Sequence, residues 1–234
     1  SGTGNTSSGS KAGLAVSAGM DAYKALSITD ADVKALGLQG IEKSDKQAKV
    51  ATKGKYATRL AKLVAKHKNE DGLKLNFKVY LTPDINAFAS PDGSIRVYSG
   101  LMDLMDDDEL HYVIGHEIGH IKNGDSLAAH KAEYLARATR KGIAASSSTA
   151  GNVARSQLGG LSESAFNAQY SQEAERKADD YGLAFNKKHK YNPKGAVTAL
   201  EKLAKLGGNQ SSIFASHPAP ADRAQRLKDQ LAKN

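Results

Sequence analysis

Two histidines four residues apart, with a glutamate directly after the first, are the residues of this 234-residue chain whose spacing most clearly suggests chemistry. They form the string His116-Glu117-Ile118-Gly119-His120. Four residues advance an α-helix by slightly more than one turn, so both imidazoles project from one face and can bind one zinc ion. Glu117 lies beside them and can reach a zinc-bound water. The string therefore predicts a hydrolytic metal site rather than incidental histidines on a partly buried helix.

The zinc ion of such a site needs another protein ligand and an open position for water. A third histidine six residues after His120 is excluded, because Ser126 stands there and Asn123 replaces the glycine expected three residues after His120. A glutamate on a later helix is the alternative, with four candidates: Glu133, Glu163, Glu173 and Glu175. Glu175 is favoured because Asp179, four residues later on the same face, could orient a zinc-binding histidine. Both could instead be solvated helix charges.

His217 is the remaining histidine in a suggestive setting, on a loop before Pro218 and ahead of Arg223. A loop histidine near zinc could donate a hydrogen bond to the oxyanion of a tetrahedral intermediate. It could also occupy the fourth zinc position and hold the site shut, or it could be a capping or surface residue. The other histidines have no constellation around them, and we expect them to be structural or exposed: His67, His111, His130 and His189.

The composition is that of a globular protein with a basic surface. There are 33 basic and 25 acidic residues, a net charge of +8, and no cysteine, which excludes disulfides, thiolate metal sites and cysteine nucleophiles. A solvated lysine-rich surface is the ordinary interpretation of the charge, and binding of nucleic acid or another anion is the alternative. Aromatic residues make up only 6% of the chain and tryptophan is absent, which disfavours base stacking. No apolar run approaches the ~20 residues that cross a bilayer.

Helical periodicity dominates the chain and is interrupted once by strands. Thr29 with Asp32 is typical of a helix start, and the acidic residues 106–109 favour another start just before the histidine string. Alternation predicts three short strands, at residues 77–81, 85–89 and 95–98. Further helices are predicted at residues 126–141, 162–188 and 193–207 and from Pro220 onward. We therefore expect an α+β fold that is predominantly helical and contains a small β-sheet.

Two stretches contain too many polar or small residues to pack into a hydrophobic core. Residues 1–10 consist mostly of Gly, Ser, Thr and Asn and are predicted to be a flexible tether, leaving residues 11–234 as a single domain. Residues 142–160 are rich in Ser, Ala and Gly. We expect this second stretch to be mobile, to lie near the cleft, and to help admit substrate.

Four groups of residues together resemble metallopeptidase family forty-eight, the gluzincins typified by HtpX and the CAAX prenyl proteases. They occur in the family's order: Asn86-Ala87-Phe88, residues 113–120, residues 175–179, and His217-Pro218 with Arg223. The resemblance runs from about Asp21 to the C-terminus and implies a zincin-like fold around the HExxH helix. It also implies one zinc ion held by His116, His120 and Glu175, with Glu117 as general base and with Asp179 and Arg223 in support. The His-Pro landmark favours the oxyanion role for His217.

In lacking membrane-spanning helices, the chain is similar to the soluble bacterial branch of this family, the LoiP-like periplasmic metalloproteases. Members of that branch are often lipoproteins anchored through an N-terminal cysteine, and a Gly/Ser tether would suit a chain that follows a removed cysteine. This resemblance implies a location in the bacterial periplasm or cell envelope, with a possible lipid anchor.

The function predicted from these observations is that of a zinc-dependent endopeptidase acting on unfolded or misfolded envelope proteins. The sheet edge near Asn86, Ala87 and Phe88 is expected to bind the polypeptide in extended form, because an unpaired strand edge offers main-chain hydrogen bonds to any sequence. Two alternatives stay open. One is a zinc-stabilised chaperone or binding module whose site is plugged by His217, and the other is a basic anion-binding protein.

Overall fold

The computed structural model describes residues 28–141, 162–206, 211–218 and 221–233. The predicted tether at residues 1–10 and the predicted mobile connection at residues 142–160 lie outside this range. The described elements are α1 (Asp30–Gln47), α2 (Lys55–Val64), a 3₁₀ turn (Glu70–Gly72), β1 (Asn76–Tyr80), β2 (Ala87–Ala89), β3 (Ser94–Tyr98), α3 (Ser99–Leu104), α4 (Asp107–Lys122), α5 (Asp125–Lys141), α6 (Ser162–Phe166), α7 (Gln172–Lys188), α8 (Lys194–Leu206), α9 (Ile213–Ser216) and α10 (Ala221–Lys233). The predominantly helical α+β fold with a small sheet is confirmed.

The predicted helix starts follow from capping chemistry. Thr29 accepts a hydrogen bond from the backbone N–H of Asp32, whose carboxylate accepts one in return, forming a capping box at the start of α1. Asp106 and Glu109 form the same box at the start of α4. Each box satisfies backbone donors that the first helical turn leaves free. The helix that carries the histidine string is therefore set in place by the acidic residues before it.

The three strands form one sheet in the order β1-β3-β2, so β2 is an edge strand. β1 runs parallel to β3, and β2 runs antiparallel to it. The backbone N–H of Tyr98 donates to the carbonyl of Asn86, and that of Ser90 donates to Ser94. Because antiparallel pairing alternates, the main-chain groups of Ala87 and Ala89 face away from β3.

The most extensive contact between the described helices is that of α4 with α7, and glycines make it possible. A Cβ atom on Gly115 would lie 2.9 Å from the ring of Phe185, and one on Gly182 would lie 2.9 Å from the ring and the carbonyl oxygen of Tyr112. Real side chains do not approach so closely, so only glycine permits this separation. The close approach places the histidine face of α4 directly against the acidic residues of α7.

One predicted helix is wrong in its extent. Residues 162–188 are not a single helix, because α6 ends at Phe166 and α7 begins only at Gln172, with Ser171 capping it through a hydrogen bond to the N–H of Ala174. Between them, the N–H of Tyr170 donates to the carbonyl of Ser216. This tertiary hydrogen bond replaces an intrahelical one, and helical periodicity alone cannot reveal it.

Among the described residues, no helix combines the length and the apolar character needed to span a membrane.

Gly182→Ala tests the close packing of α4 and α7. The added methyl group collides with the carbonyl of Tyr112, which is backbone and cannot swing aside, so we expect a loss of about 1–3 kcal/mol of unfolding free energy. Denaturant unfolding measures the loss. Ala184→Ser, at an exposed position of the same helix, is the matched control and should cost about 0.5 kcal/mol or less. Equal stability of the two variants would contradict the packing argument.

Candidate metal centre

His116, His120, Glu175 and His217 meet in the interior, and we call them the central cluster. One potential ligand atom from each lies within 4.8 Å of those of the other three, and all four residues are buried. The two histidine Nε2 atoms on α4 are 3.1 Å apart. The Oε1 atom of Glu175 on α7 lies 2.7 Å from Nε2 of His120 and 2.8 Å from Nδ1 of His217. Three separate stretches of sequence contribute to one small volume.

The spacing of these atoms fits a tetrahedral zinc ion. Zinc bonds of about 2.0–2.1 Å place neighbouring ligand atoms about 3.3–3.4 Å apart. Within the central cluster, the Nε2 atom of His116 lies 3.3 Å from Nδ1 of His217 and 3.4 Å from Oε1 of Glu175. The shorter contacts need only a small expansion. Imidazole nitrogens and one carboxylate oxygen are also the donor set that zinc prefers.

On the side of each ring that faces away from the central cluster, the Nδ1 atoms of His116 and His120 contact carboxylates. His116 Nδ1 lies 2.9 Å from Oδ1 of Asp179, and His120 Nδ1 lies 2.9 Å from Oδ2 of Asp125. A proton on each Nδ1 donates to its carboxylate, which leaves both Nε2 lone pairs directed at the cluster, as in many metal sites. The sequence analysis missed Asp125, although its place one residue beyond the Gly124 turn was a usable signal.

Arg223 connects three parts of the site. Its Nε and Nη2 atoms donate to the two oxygens of Asp179 at 2.7 and 2.8 Å. Its Nη1 atom donates to the carbonyl of Pro218 at 3.0 Å and lies 2.9 Å from Oε2 of Glu175. The hydroxyl of Tyr112 donates to Asp179 at 2.6 Å. Burial alone would raise the pKa of Asp179, but Arg223 and His116 outweigh burial and lower it.

The carboxylates make the centre strongly favourable for positive charge. Burial acts to lower the pKa of His217, yet Glu175 and Glu117 raise it to about 10. Burial opposes protonation of His116 in the same way, but Glu175 and Asp179 raise its pKa to about 9. A buried site that attracts protons this strongly provides the electrostatic environment that a divalent cation requires.

Glu117 lies directly beside the central cluster without belonging to it. Its side chain is almost fully buried, and its Oε1 atom lies 3.0 Å from Nε2 of His217. Its Oε2 atom has no hydrogen-bond partner among the described residues. Buried polar atoms without a partner are uncommon and call for an explanation. A carboxylate oxygen left free next to a metal site is available to a water molecule or a substrate.

Tyr170 closes one side of the site, and the sequence analysis missed it. Its ring stacks on that of His120, with centroids 3.8 Å apart and planes 11° from parallel. Its hydroxyl lies 3.2 Å from the hydroxyl of Ser126. The predicted uninterrupted helix hid this role, because Tyr170 reaches His120 only through the break between α6 and α7.

The residues predicted to bind substrate lie at the edge strand, but their side chains face inward. Asn86, Ala87 and Phe88 are all buried. The side-chain oxygen of Asn86 accepts a hydrogen bond from the N–H of Ala87, and the ring of Phe88 stacks on Phe166 with centroids 4.9 Å apart. These exposures include the main chain, so the stretch presents almost no surface to another polypeptide in this structure.

A small pocket, with a volume of about 20 Å³, opens beside Glu117 and His217. Its walls are mostly aliphatic and aromatic side chains from α4, α8 and α9, including Val113, Leu200, Leu203, Ile213 and Phe214.

Of the other glutamates proposed from the sequence, Glu173 is exposed and lies 3.4 Å from Lys177, while Glu133 is only partly buried. The side chain of Glu163 lies outside the described residues, and among the described candidates Glu175 is the one that reaches the histidines.

Comparison with known proteins agrees with this geometry. Residues 47–231 match peptidase family M48. The chain belongs to this family. It is similar to metalloprotease YcaL of Escherichia coli (strain K12), with 46% identity over 94% of this chain and 87% of YcaL. It is also similar to metalloprotease LoiP of the same strain, with 42% identity over 93% of this chain and 87% of LoiP.

A more distant relative is the mitochondrial metalloendopeptidase OMA1 of Arabidopsis thaliana, with 31% identity over 67% of this chain and 32% of OMA1. The resemblance inferred from the four groups of residues is thus confirmed. This member of family M48 is a metalloendopeptidase, and its cofactor is zinc.

Two other histidines also lie in a constellation, contrary to expectation. His67 and His189 meet the carboxylate of Glu70, far from the string in sequence. His111 and His130 fit the expected structural role: both are buried and contact backbone carbonyls, of Leu63 and Ser126 respectively.

Asp179→Asn tests whether the carboxylate on α7 sets the metal affinity. The substitution keeps the shape but removes the charge that orients His116 and pairs with Arg223, so zinc affinity should fall about 10- to 100-fold. Competition with a chromophoric chelator measures the affinity. Tyr112→Phe removes one hydrogen bond from the same carboxylate and should change affinity by less than about tenfold. Unchanged affinity in Asp179→Asn would contradict the assignment.

Proposed function

We propose that the protein is a zinc endopeptidase that hydrolyses peptide bonds in unfolded or misfolded polypeptides of the bacterial cell envelope. The observation that carries the proposal is the buried carboxylate of Glu117 beside the central cluster, with one oxygen free among the described residues. A general base next to a metal site is the arrangement that metal-assisted hydrolysis needs. Membership of family M48 supports the reaction class.

In this proposal His116, His120 and Glu175 hold the zinc ion. When bound, zinc polarises the scissile carbonyl and lowers the pKa of water to about 7. Asp179 and Asp125 keep the two imidazoles oriented through their Nδ1 atoms. Arg223 holds Asp179 and the backbone that follows His217 in one arrangement.

Glu117 serves as the general base and then as the general acid. Burial would raise its pKa, but the neighbouring histidines, His217 first, outweigh burial and lower it. The carboxylate is therefore ionised before the reaction and can accept a proton from the attacking water. It then donates that proton to the departing amine, which completes hydrolysis.

His217 is proposed to close the resting site rather than to serve as an oxyanion donor. Its Nδ1 atom belongs to the central cluster, and its Nε2 atom lies 3.0 Å from Oε1 of Glu117 without forming a hydrogen bond, so both ring nitrogens face the catalytic machinery. An oxyanion donor would instead direct a free N–H toward the space where substrate reacts. The position of the ring supports a displaceable fourth ligand that leaves when substrate enters.

Substrate is proposed to bind as an extended chain along β2. The main-chain groups of Ala87 and Ala89 face away from β3, the side on which a further strand would pair. Both residues are buried and the N–H of Ala87 is bound by Asn86, so an incoming chain would have to displace the groups that cover them. Such pairing requires an unfolded segment but no particular sequence. The adjacent apolar pocket between α4, α8 and α9 is small and would have to widen to accept a hydrophobic side chain of that segment. This mode of binding suits protein quality control.

The proposed location is the bacterial periplasm or another part of the cell envelope. The resemblance to LoiP-like periplasmic proteases supports it, and 42% identity to LoiP is consistent with it. Residues 1–10 would then connect the single peptidase domain of residues 11–234 to a lipid anchor. Polypeptides are the expected partners, and nucleic acid is not.

A second candidate is a zinc-stabilised binding module or chaperone that cleaves rarely. The position of His217 in the central cluster favours it, because a permanently closed site would bind polypeptides without hydrolysing them. The two candidates differ in one requirement: only the peptidase needs Glu117 for its biological activity.

Paired variants of the histidine string test the proposed roles. Glu117→Gln should abolish cleavage of an unfolded protein yet retain zinc, because the residue handles a proton and contributes no ligand. His116→Ala should lose both cleavage and zinc. Proteolysis assays and metal analysis of the purified proteins measure the two properties. Near-normal cleavage by Glu117→Gln would overturn the mechanism and leave the binding module as the better account.

His217→Ala separates the closed-site role from the oxyanion role. If His217 closes the resting site, the variant should retain zinc and cleave faster. The increase should be about tenfold if about a tenth of the wild-type molecules have an open site at any time. A loss of about 10²–10³-fold with zinc retained would instead identify an oxyanion donor and contradict closure. Unchanged cleavage would assign His217 a structural role. Initial rates on an unfolded substrate, with zinc content measured in parallel, distinguish these outcomes.

A further inference from the structure

A second group of metal-binding side chains lies outside the central cluster, and we call His67, Glu70 and His189 the peripheral cluster. Their potential ligand atoms lie within 4.8 Å of one another. The Nε2 atom of His189 is 2.6 Å from Oε1 of Glu70, and the Nδ1 atom of His67 is 3.2 Å from Oε2 of the same carboxylate. His67 and Glu70 are buried, whereas the side chain of His189 is 20% exposed.

The three residues come from distant parts of the chain. His67 follows the end of α2, Glu70 begins the 3₁₀ turn, and His189 is the C-terminal cap of α7. More than a hundred residues separate His189 from the other two. The cluster therefore joins segments that are far apart in the sequence.

The surroundings hold these side chains in place. His67 Nε2 is hydrogen-bonded to the hydroxyl of Tyr191 at 2.7 Å, and the ring of Tyr191 stacks on His111 at a centroid distance of 3.5 Å. The second ring nitrogen of His67 is thus kept toward Glu70. Fixing one imidazole nitrogen so that the other faces a common centre is the usual arrangement around metal-binding histidines.

The backbone next to two of the three residues is also unusual. Among the described residues, the non-glycine positions with positive φ are Asp71, at 55°, and Lys190, at 61°. They directly follow Glu70 and His189. Left-handed backbone at such residues costs about 1–2 kcal/mol each. The fold accepts this cost at the residues that directly follow Glu70 and His189.

Lys188 is the group that competes with a cation here. Its Nζ atom lies 3.2 Å from Oε1 of Glu70, and 61% of its side chain is exposed. A long exposed ammonium can move into solvent when another cation takes its place. Lys188 would therefore weaken metal binding without preventing it.

We propose that His67, Glu70 and His189 bind a second divalent ion of the zinc class, with solvent completing its coordination on the side of His189. Two imidazoles and one carboxylate suit zinc and similar transition metals, whereas calcium takes six to eight oxygen ligands. The ion would fix the C-terminal end of α7, whose N-terminal half carries Glu175 and Asp179. Its role would thus be structural support of the helix that supplies the central cluster.

Zinc stoichiometry of the full chain tests this proposal. Wild-type protein freed of metal and titrated with Zn²⁺ should bind two equivalents, and His189→Ala should keep the first and bind the second at least about 100-fold more weakly. Lys188→Ala should bind the second equivalent more tightly than wild type, because it removes the competing ammonium. Lys187→Ala, at the exposed neighbouring lysine, is the matched control and should match wild type.

A single bound equivalent in the wild type would overturn the proposal, and so would two equivalents of unchanged affinity in His189→Ala. If His189→Ala does not fold, Lys188→Ala provides the test. An unaltered affinity of Lys188→Ala for the second ion would show that this ion does not bind at the peripheral cluster. Thermal unfolding adds a readout independent of proteolysis. The second equivalent should raise the melting temperature of wild type but not that of His189→Ala.

Discussion

The buried carboxylate of Asp179 is the interaction on which the geometry of the site depends. It binds His116 and Tyr112 from α4 and Arg223 from α10, while its own helix, α7, supplies Glu175. A buried charge is tolerable only when it is paired and hydrogen-bonded, so these partners must stay in place for the fold to be stable. The same requirement that stabilises the helix contact therefore orients His116, a proposed zinc ligand.

That interaction is possible only because α4 and α7 approach closely. Gly115 and Gly182 remove the side chains that would hold the helices apart. The consequence is a buried interior in which His217, carried by a short connection, can reach both Glu175 and Glu117. A rigid frame with one histidine on a connection between helices is the arrangement expected of a site that must be both stable and able to open.

The parts of the site that lie on one helix could be predicted from the sequence. The histidine string and the pair Glu175 and Asp179 follow helical spacing, and the resemblance to a known family placed them together. The capped start of α4 also followed from local chemistry. By contrast, Tyr170 and the peripheral cluster depend on tertiary contacts, because a backbone hydrogen bond to Ser216 interrupts a predicted helix and His189 meets His67 from across the fold.

Diffraction from crystals of the zinc-loaded protein, with anomalous signal collected at the zinc absorption edge, tests the central claim most directly. The account predicts a zinc peak bound by His116 and His120, with a Glu175 oxygen about 2.0–2.2 Å from the ion. It also predicts that Asp179 remains bonded to the far side of His116. A zinc peak that lacks Glu175, or the absence of any peak between the two histidines, would contradict it.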